Sequence, residues 1–309
     1  MRTDFKKGEG ESYSPLTPRL MVQLAAPHTW PAAILPVLIA VGCTVATRGV
    51  FSPLMALVLL VICILMQSSV NTFNDYFDFV KGTDSAEDNV EVTDAVLVYN
   101  HVNPRTVLMY AIGLLVAAFL LGLYVIFQAG FIPLVIALVG ALMVVLYSGG
   151  KTPISYLPIG ELVSGGVMGG LIPLACYQVL SGTFSWMMLL WSVPTIIGVG
   201  LIMMTNNTCD IEKDVEAQRK TLPVLLGRPK SRALYHGLLV TWACAIVLII
   251  CLWFAHGIIV LPFMVLACYP LMVGLWKNPL IPASRVGAMG QICSVNVALG
   301  AFYACALML

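Results

Sequence analysis

Gln67-Ser68-Ser69-Val70-Asn71-Thr72-Phe73-Asn74-Asp75-Tyr76-Phe77-Asp78 closes an apolar run that begins near residue 51. A run of this kind is long enough for the roughly 20 residues that a helix needs to cross a bilayer. It does not alternate as a strand would, and open sheets leave backbone groups that lipid cannot satisfy. Similar runs on either side place further spans near 25–47, 105–128, 131–148, 159–180, 186–205, 232–255, 258–276 and 284–307. The expected fold is therefore an all-α membrane protein, a bundle of nine transmembrane helices. Composition agrees: 60% of the 309 residues are hydrophobic and 10% are charged, against about 25% charged in soluble domains.

The net charge of +1 is uninformative, but its distribution is not. With a cytosolic N-terminus, 15 of the 16 Lys and Arg fall in cytosolic segments, and only Arg48 lies outside. Excess Lys and Arg in cytoplasmic loops orients helical membrane proteins. All 15 acidic residues fall on that side too, which the rule does not demand. The chemistry is expected there, at an active site facing the cytosol, most simply from a bacterial cytoplasmic membrane. Nothing calls for a nucleic-acid partner; membrane lipid is the expected surroundings.

Residues 1–20 are polar and mixed in charge and read as a flexible cytosolic tail. They lack the succession of a cleavable signal peptide. Residues 21–309 read as one transmembrane domain. The nine cysteines are scattered, with no C-x-x-C pair, and read as small apolar packing residues. Pro27, Pro31 and Pro36 are expected to bend or thin the first span. Gly165/Gly169 and Gly166/Gly170 have the small-x-x-x-small spacing that lets helices approach closely.

The decisive polar residues form two clusters. On a helix Asn71, Asn74, Asp75 and Asp78 are three or four residues apart and share a face. A second stretch, Thr205-Asn206-Asn207-Thr208-Cys209-Asp210-Ile211-Glu212-Lys213-Asp214, places Asn206, Asn207, Asp210 and Asp214 on one stripe. Acidic residues just outside a span are cheap to solvate, unlike Asp at a helix centre. Two Asn-rich clusters, each ending a span on one side of the membrane, are harder to dismiss. Converging carboxylates repel one another unless a cation sits among them. Mg²⁺ takes oxygen ligands, typically one or two carboxylates with waters and substrate phosphates. Two such ions, held by Asp75/Asp78 and by Asp210/Asp214, could clamp a diphosphate and offset its charge as it leaves. Lys151, Arg219 and Lys220 are candidate donors to its oxygens. The ring of Tyr147 could face a cationic intermediate.

These residues resemble the UbiA superfamily of intramembrane prenyltransferases. Asn71, Asp75 and Asp78 meet that family's Asn-x-x-x-Asp-x-x-Asp pattern, and Asp210 and Asp214 meet its Asp-x-x-x-Asp pattern. Within it the menaquinone branch looks closest, on Asn74–Asp78 running into Lys81–Asp84, on Tyr147–Gly150 to Gly160-Glu161, and on Asn206-Asn207 before Asp210. The resemblance implies a UbiA-like bundle and Mg²⁺-dependent transfer of a polyprenyl group from polyprenyl diphosphate to an aromatic acceptor, 1,4-dihydroxy-2-naphthoate in that branch. It departs at Cys209, Gln218 and Leu225, where the branch usually has Arg, Gly and Arg, and in Glu91–His101, where it has a basic stretch. A UbiA-type reaction on another acceptor is the alternative, and a membrane transporter a more distant one.

Overall fold

The computed structural model describes residues 13–81, 96–148 and 153–309, the side chains of Asp78, Lys81, Val144 and Ser148 excepted. Lys151, the tail before Tyr13 and the Glu91–Asp94 stretch lie outside the described residues. The elements are α1 (Pro18–Ala25), α2 (Pro31–Arg48), α3 (Pro53–Lys81), α4 (Val96–Asn100), α5 (Pro104–Ala129), α6 (Ile132–Ser148) and α7 (Gly160–Ser164). There follow a π-helical segment (Gly165–Leu171), α8 (Ile172–Ser181), α9 (Met187–Trp191), α10 (Val193–Cys209), α11 (Ile211–Glu216), α12 (Leu222–Leu226), α13 (Arg228–Trp253), α14 (Leu261–Lys277) and α15 (Arg285–Met308). Among the described residues seven helices are long and apolar enough to cross a membrane, and shorter apolar helices, Ile132–Tyr147 and Val193–Cys209, occupy the fourth and sixth expected spans. The only β pairing among them is an isolated bridge between Ser14 and Val102.

Proline sets where several helices begin. α1, α2, α3 and α5 each start on Pro, whose missing N–H would have no partner in a first turn anyway. The first expected span is broken rather than bent: Ala26 adopts φ +47°, and a short 3₁₀ turn, Pro27–Thr29, separates α1 from α2. Pro36 stays inside α2. The bend expected there is thus an interruption of the helix, placed where two prolines fall within five residues.

The chain divides into two compact units, Met1–Trp30 with Leu57–Tyr124, and Pro31–Ala56 with Val125–Leu309. In the first, Leu24, Val96, Leu97, Val102 and Val107 form a buried cluster, flanked by Leu16, Leu20, Tyr76, Phe79 and Tyr110. The Ser69 hydroxyl donates to the Ala111 carbonyl at 2.9 Å, joining α3 to α5. Such bonds between apolar helices typically add less than 1 kcal/mol in membranes.

In the second unit α10 packs against the π-helical segment, α13 and α15. Gly169 explains how closely the first of these approaches: a Cβ there would lie 2.5 Å from the Ile196 backbone nitrogen. Gly165 faces the same backbone, whereas a Cβ on Gly166 would meet nothing within 4 Å. One of the two expected small-residue pairs therefore makes the close contact. Trp242, Tyr235 and Tyr303 are fully buried, and the Tyr303 hydroxyl donates to the Trp191 carbonyl at 2.7 Å. Large apolar side chains on α5 and α14 point outward, Phe127 at 87% and Leu266 at 78% exposure. With the spanning helices, these mark an integral membrane protein.

Candidate functional site

Both acidic clusters sit where long helices end. The first lies on the last turns of α3, within the first unit. The Asp75 carboxylate accepts the backbone N–H of Val96 at 2.8 Å and of Leu97 at 3.3 Å, receiving the first amides of α4. A helix start has such amides to spare. Asn71 faces inward: its amide donates to the Ala25 carbonyl at 3.1 Å and to the Thr29 hydroxyl at 2.8 Å, and its oxygen accepts from Gln67 at 3.3 Å. It thereby staples the α1–α2 break to α3. Asn74 is exposed. Asp78 lies on the same helix, but its side chain is outside the described residues.

The second cluster lies within the second unit. α10 ends at Cys209 and α11 begins at Ile211, yet helical hydrogen bonding continues across the join: Asp210 N–H to Asn206 C=O at 3.0 Å, and Asp214 N–H to Asp210 C=O at 2.8 Å. Asn206, Asp210 and Asp214 therefore keep the expected four-residue stripe. Arg285, at the start of α15, grips two of them, donating from Nε to Asp210 at 3.0 Å and from Nη2 to Asn206 at 2.7 Å. Asn207 turns aside, since neighbours on a helix diverge by about 100°. Its amide donates to Glu161 Oε1 at 2.9 Å.

Asp214 is almost wholly buried, at 3% exposure. The Thr221 hydroxyl donates to its Oδ2 at 3.1 Å, and Arg219 lies 3.6 Å from Oδ1. Burial pushes its carboxyl above the ordinary value, against the opposing pull of Thr221 and Arg219. The Arg219 guanidinium also lies 4.9 Å above the Tyr156 ring, a cation–π arrangement. Lys220 donates its backbone N–H to the Tyr156 carbonyl at 2.9 Å. Near it Gln218 adopts φ +55°, which accounts for the glycine usual at that position in the resembling family. Nearby, Glu212 accepts from Arg228 at 2.7 and 2.8 Å, and that bidentate hydrogen bond holds its carboxyl at about 2. Tyr147 lies in the last turn of α6 with its hydroxyl beside Gly160.

Sequence reasoning does not single out three of the participants. Arg285 and Thr221 look like a topology marker and a loop residue, and their contacts depend on tertiary folding. Glu161 does carry a signal, being an acidic residue inside an expected apolar span.

The donor set is entirely oxygen, which suits a hard divalent cation. Among the described residues no three acidic, His or Cys side chains form a ready-made metal cluster. Pairs of carboxylates fit an ion that takes its remaining ligands from water and substrate phosphate.

Comparisons with known proteins bear on the whole arrangement. Residues 33–281 match the model of the UbiA prenyltransferase family. A 1,4-dihydroxy-2-naphthoate octaprenyltransferase of Bacillus subtilis (strain 168) is 37% identical over 224 residues, 72% of this chain and 71% of that protein. Another of that description, from Mycobacterium tuberculosis, is 30% identical over 283 residues, 90% of this chain and 94% of that protein. A UbiA homolog from Archaeoglobus fulgidus, solved bound to DMAPP and Mg²⁺, superimposes with a TM-score of 0.61 at 15% identity, covering 93% of this chain and 98% of that one. At that identity the likeness is one of fold.

Proposed function

Because the chain belongs to the UbiA prenyltransferase family, we propose that it transfers a polyprenyl group from a prenyl diphosphate to 1,4-dihydroxy-2-naphthoate, a step of menaquinone biosynthesis. The observation that carries this reading is the 37% identity to the Bacillus subtilis enzyme over most of both chains. The paired carboxylates at the ends of α3 and α10 give it a chemical basis.

Asp75 with Asp78, and Asp210 with Asp214, are the residues suited to hold Mg²⁺. When bound, that ion would offset the charge of the departing diphosphate. Arg219 and Arg285, already beside Asp214 and Asp210, offer N–H donors to diphosphate oxygens. Lys220, Lys151, Asn74 and Asn206 extend that polar surface, and Asn207, expected beside them, turns its amide to Glu161. Asn71 acts through position, tying the α1–α2 break to α3. The apolar helices exclude water from the allylic cation left when the C–O bond breaks, and the Tyr147 ring is suited to face that cation. The site faces the cytosol on the charge asymmetry of the chain. A lipid-soluble product can leave sideways into the bilayer.

Membranes containing the protein, incubated with Mg²⁺, a labelled prenyl diphosphate and a set of aromatic acids, test the reading. Label should enter a lipid-extractable product with 1,4-dihydroxy-2-naphthoate, and chelation should stop it. Transfer only to a different acceptor would overturn the assignment of substrate; transfer to none would overturn the reaction.

A further inference from the structure

Glu161 is unlike every other acidic residue described above. It sits in the first turn of α7 at 8% exposure. Its Oε1 accepts the Asn207 amide at 2.9 Å, while its Oε2 is buried with no hydrogen-bond partner among the described residues. The backbone fixes it there: a Cβ on Gly200 of α10 would lie 3.3 Å from the Glu161 carbonyl oxygen. An ionised carboxylate accepts at about four lone-pair positions, and buried polar atoms are seldom left unmatched. The missing partner must bring a donor.

The surroundings limit what that donor is. A diphosphate, anionic and without donors, is repelled. A metal ion is disfavoured because Asn207 aims its N–H, not its carbonyl, at the carboxylate, and no three acidic, His or Cys side chains cluster among the described residues. A neutral O–H fits. Through Asn207, three residues before Asp210, Glu161 is tied to the helix that leads into the second acidic cluster. The Tyr147 hydroxyl lies against neighbouring Gly160, 3.6 Å from where a Cβ would stand.

We infer that Glu161, steadied by Asn207, is the binding residue for a phenolic hydroxyl of the aromatic acceptor; this rests on the prenyl-transfer reading above. A hydroxyl hydrogen-bonded to a buried carboxylate makes a short, charge-assisted bond. It also pushes electron density into the ring that must act as nucleophile. The same bond selects hydroxylated aromatics over those lacking the group, by about ten- to a hundredfold.

The test uses the full chain in detergent with Mg²⁺ and inorganic pyrophosphate, titrated with 1,4-dihydroxy-2-naphthoate and with 2-naphthoate, which lacks the hydroxyls. Wild type should bind the dihydroxy compound at least tenfold more tightly. Glu161→Gln should lose that preference, and Glu161→Asp should keep part of it. In turnover, Glu161→Gln should raise KM for the acceptor while leaving KM for prenyl diphosphate within about twofold. Equal binding of both compounds by wild type, or no binding of either, overturns the inference without need of the variant. So does a preference that survives in Glu161→Gln, which would leave an ordered water as the partner of Oε2. If the preference depends on Glu161 but no acceptor is prenylated, the proposed reaction falls and the hydroxyl subsite stands.

Discussion

Adding one methyl group at Gly169 should disable a site that lies some ten residues further along the neighbouring helix. A Cβ at this position would stand 2.5 Å from the Ile196 nitrogen and 2.6 Å from its Cα, where non-bonded heavy atoms need about 3.5 Å. Gly169→Ala must therefore push α10 away by roughly 1 Å, and both sides of the contact are backbone, so no side chain can rotate out of the way. Overpacking of this kind costs about 1–3 kcal/mol and should lower the melting temperature by roughly 2–10 °C. α10 also carries Asn206 and Asn207 and runs into Asp210, whose bonds to Arg285 and Glu161 span 2.7 to 3.0 Å. A shift of about 1 Å takes them beyond hydrogen-bonding range. Prenyl transfer should fall at least tenfold, with KM for prenyl diphosphate rising. Gly166→Ala is the control, since its added methyl meets nothing within 4 Å; it should change neither melting nor turnover by much. If Gly169→Ala melts and turns over like wild type, or if the two variants behave alike, the close packing of α10 does not position the second cluster.

Other perturbations probe single contacts. Asp75→Asn keeps one acceptor oxygen for the shorter, 2.8 Å bond from the Val96 amide, gives up the 3.3 Å bond from Leu97 and loses the charge, so expression should hold while label transfer becomes undetectable; full activity would remove Asp75 from the chemistry. Thr221→Val deletes the 3.1 Å hydroxyl donor to buried Asp214 and should cost about 1–2 kcal/mol in thermal unfolding, with Thr221→Ser restoring most of it. Glu212, held at about 2 by Arg228, has a depressed carboxyl, so its stabilisation is full above the ordinary carboxylate range and is lost as pH falls toward 2. Because the pair is solvent-screened, its side chain 56% exposed, Glu212→Gln should lower stability at pH 7 by no more than about 0.5 kcal/mol. Wild type and variant should converge near pH 2 in a melting series.

Much of this protein can be read from the chain alone because lipid restricts the choices. Apolar runs of spanning length must be helices, and the helices form where those runs predict them. The stripe Asn206–Asp210–Asp214 follows from helical spacing, and it persists across the α10–α11 join. What cannot be read comes from distant partners. In the sequence Asn71 shares the helix face of Asp75 and Asp78, but its amide reaches the Ala25 carbonyl 46 residues earlier, a pairing created by the break at Ala26. Nothing local indicates that Arg285 lies against Asp210, 75 residues away. Asn207 falls outside the stripe by one helical step, because a line drawn through two adjacent residues ignores the angle between them.

The two amides that Asp75 receives also make this carboxylate observable from outside. Val96 and Leu97 open α4 with their N–H groups on its oxygens, so the rate at which those protons trade with deuterated solvent depends on where the carboxylate points. A compound that draws Asp75 aside should quicken exchange at both positions together, and one that leaves it in place should not. Occupancy at the first motif thus has a spectroscopic dial, legible without any turnover.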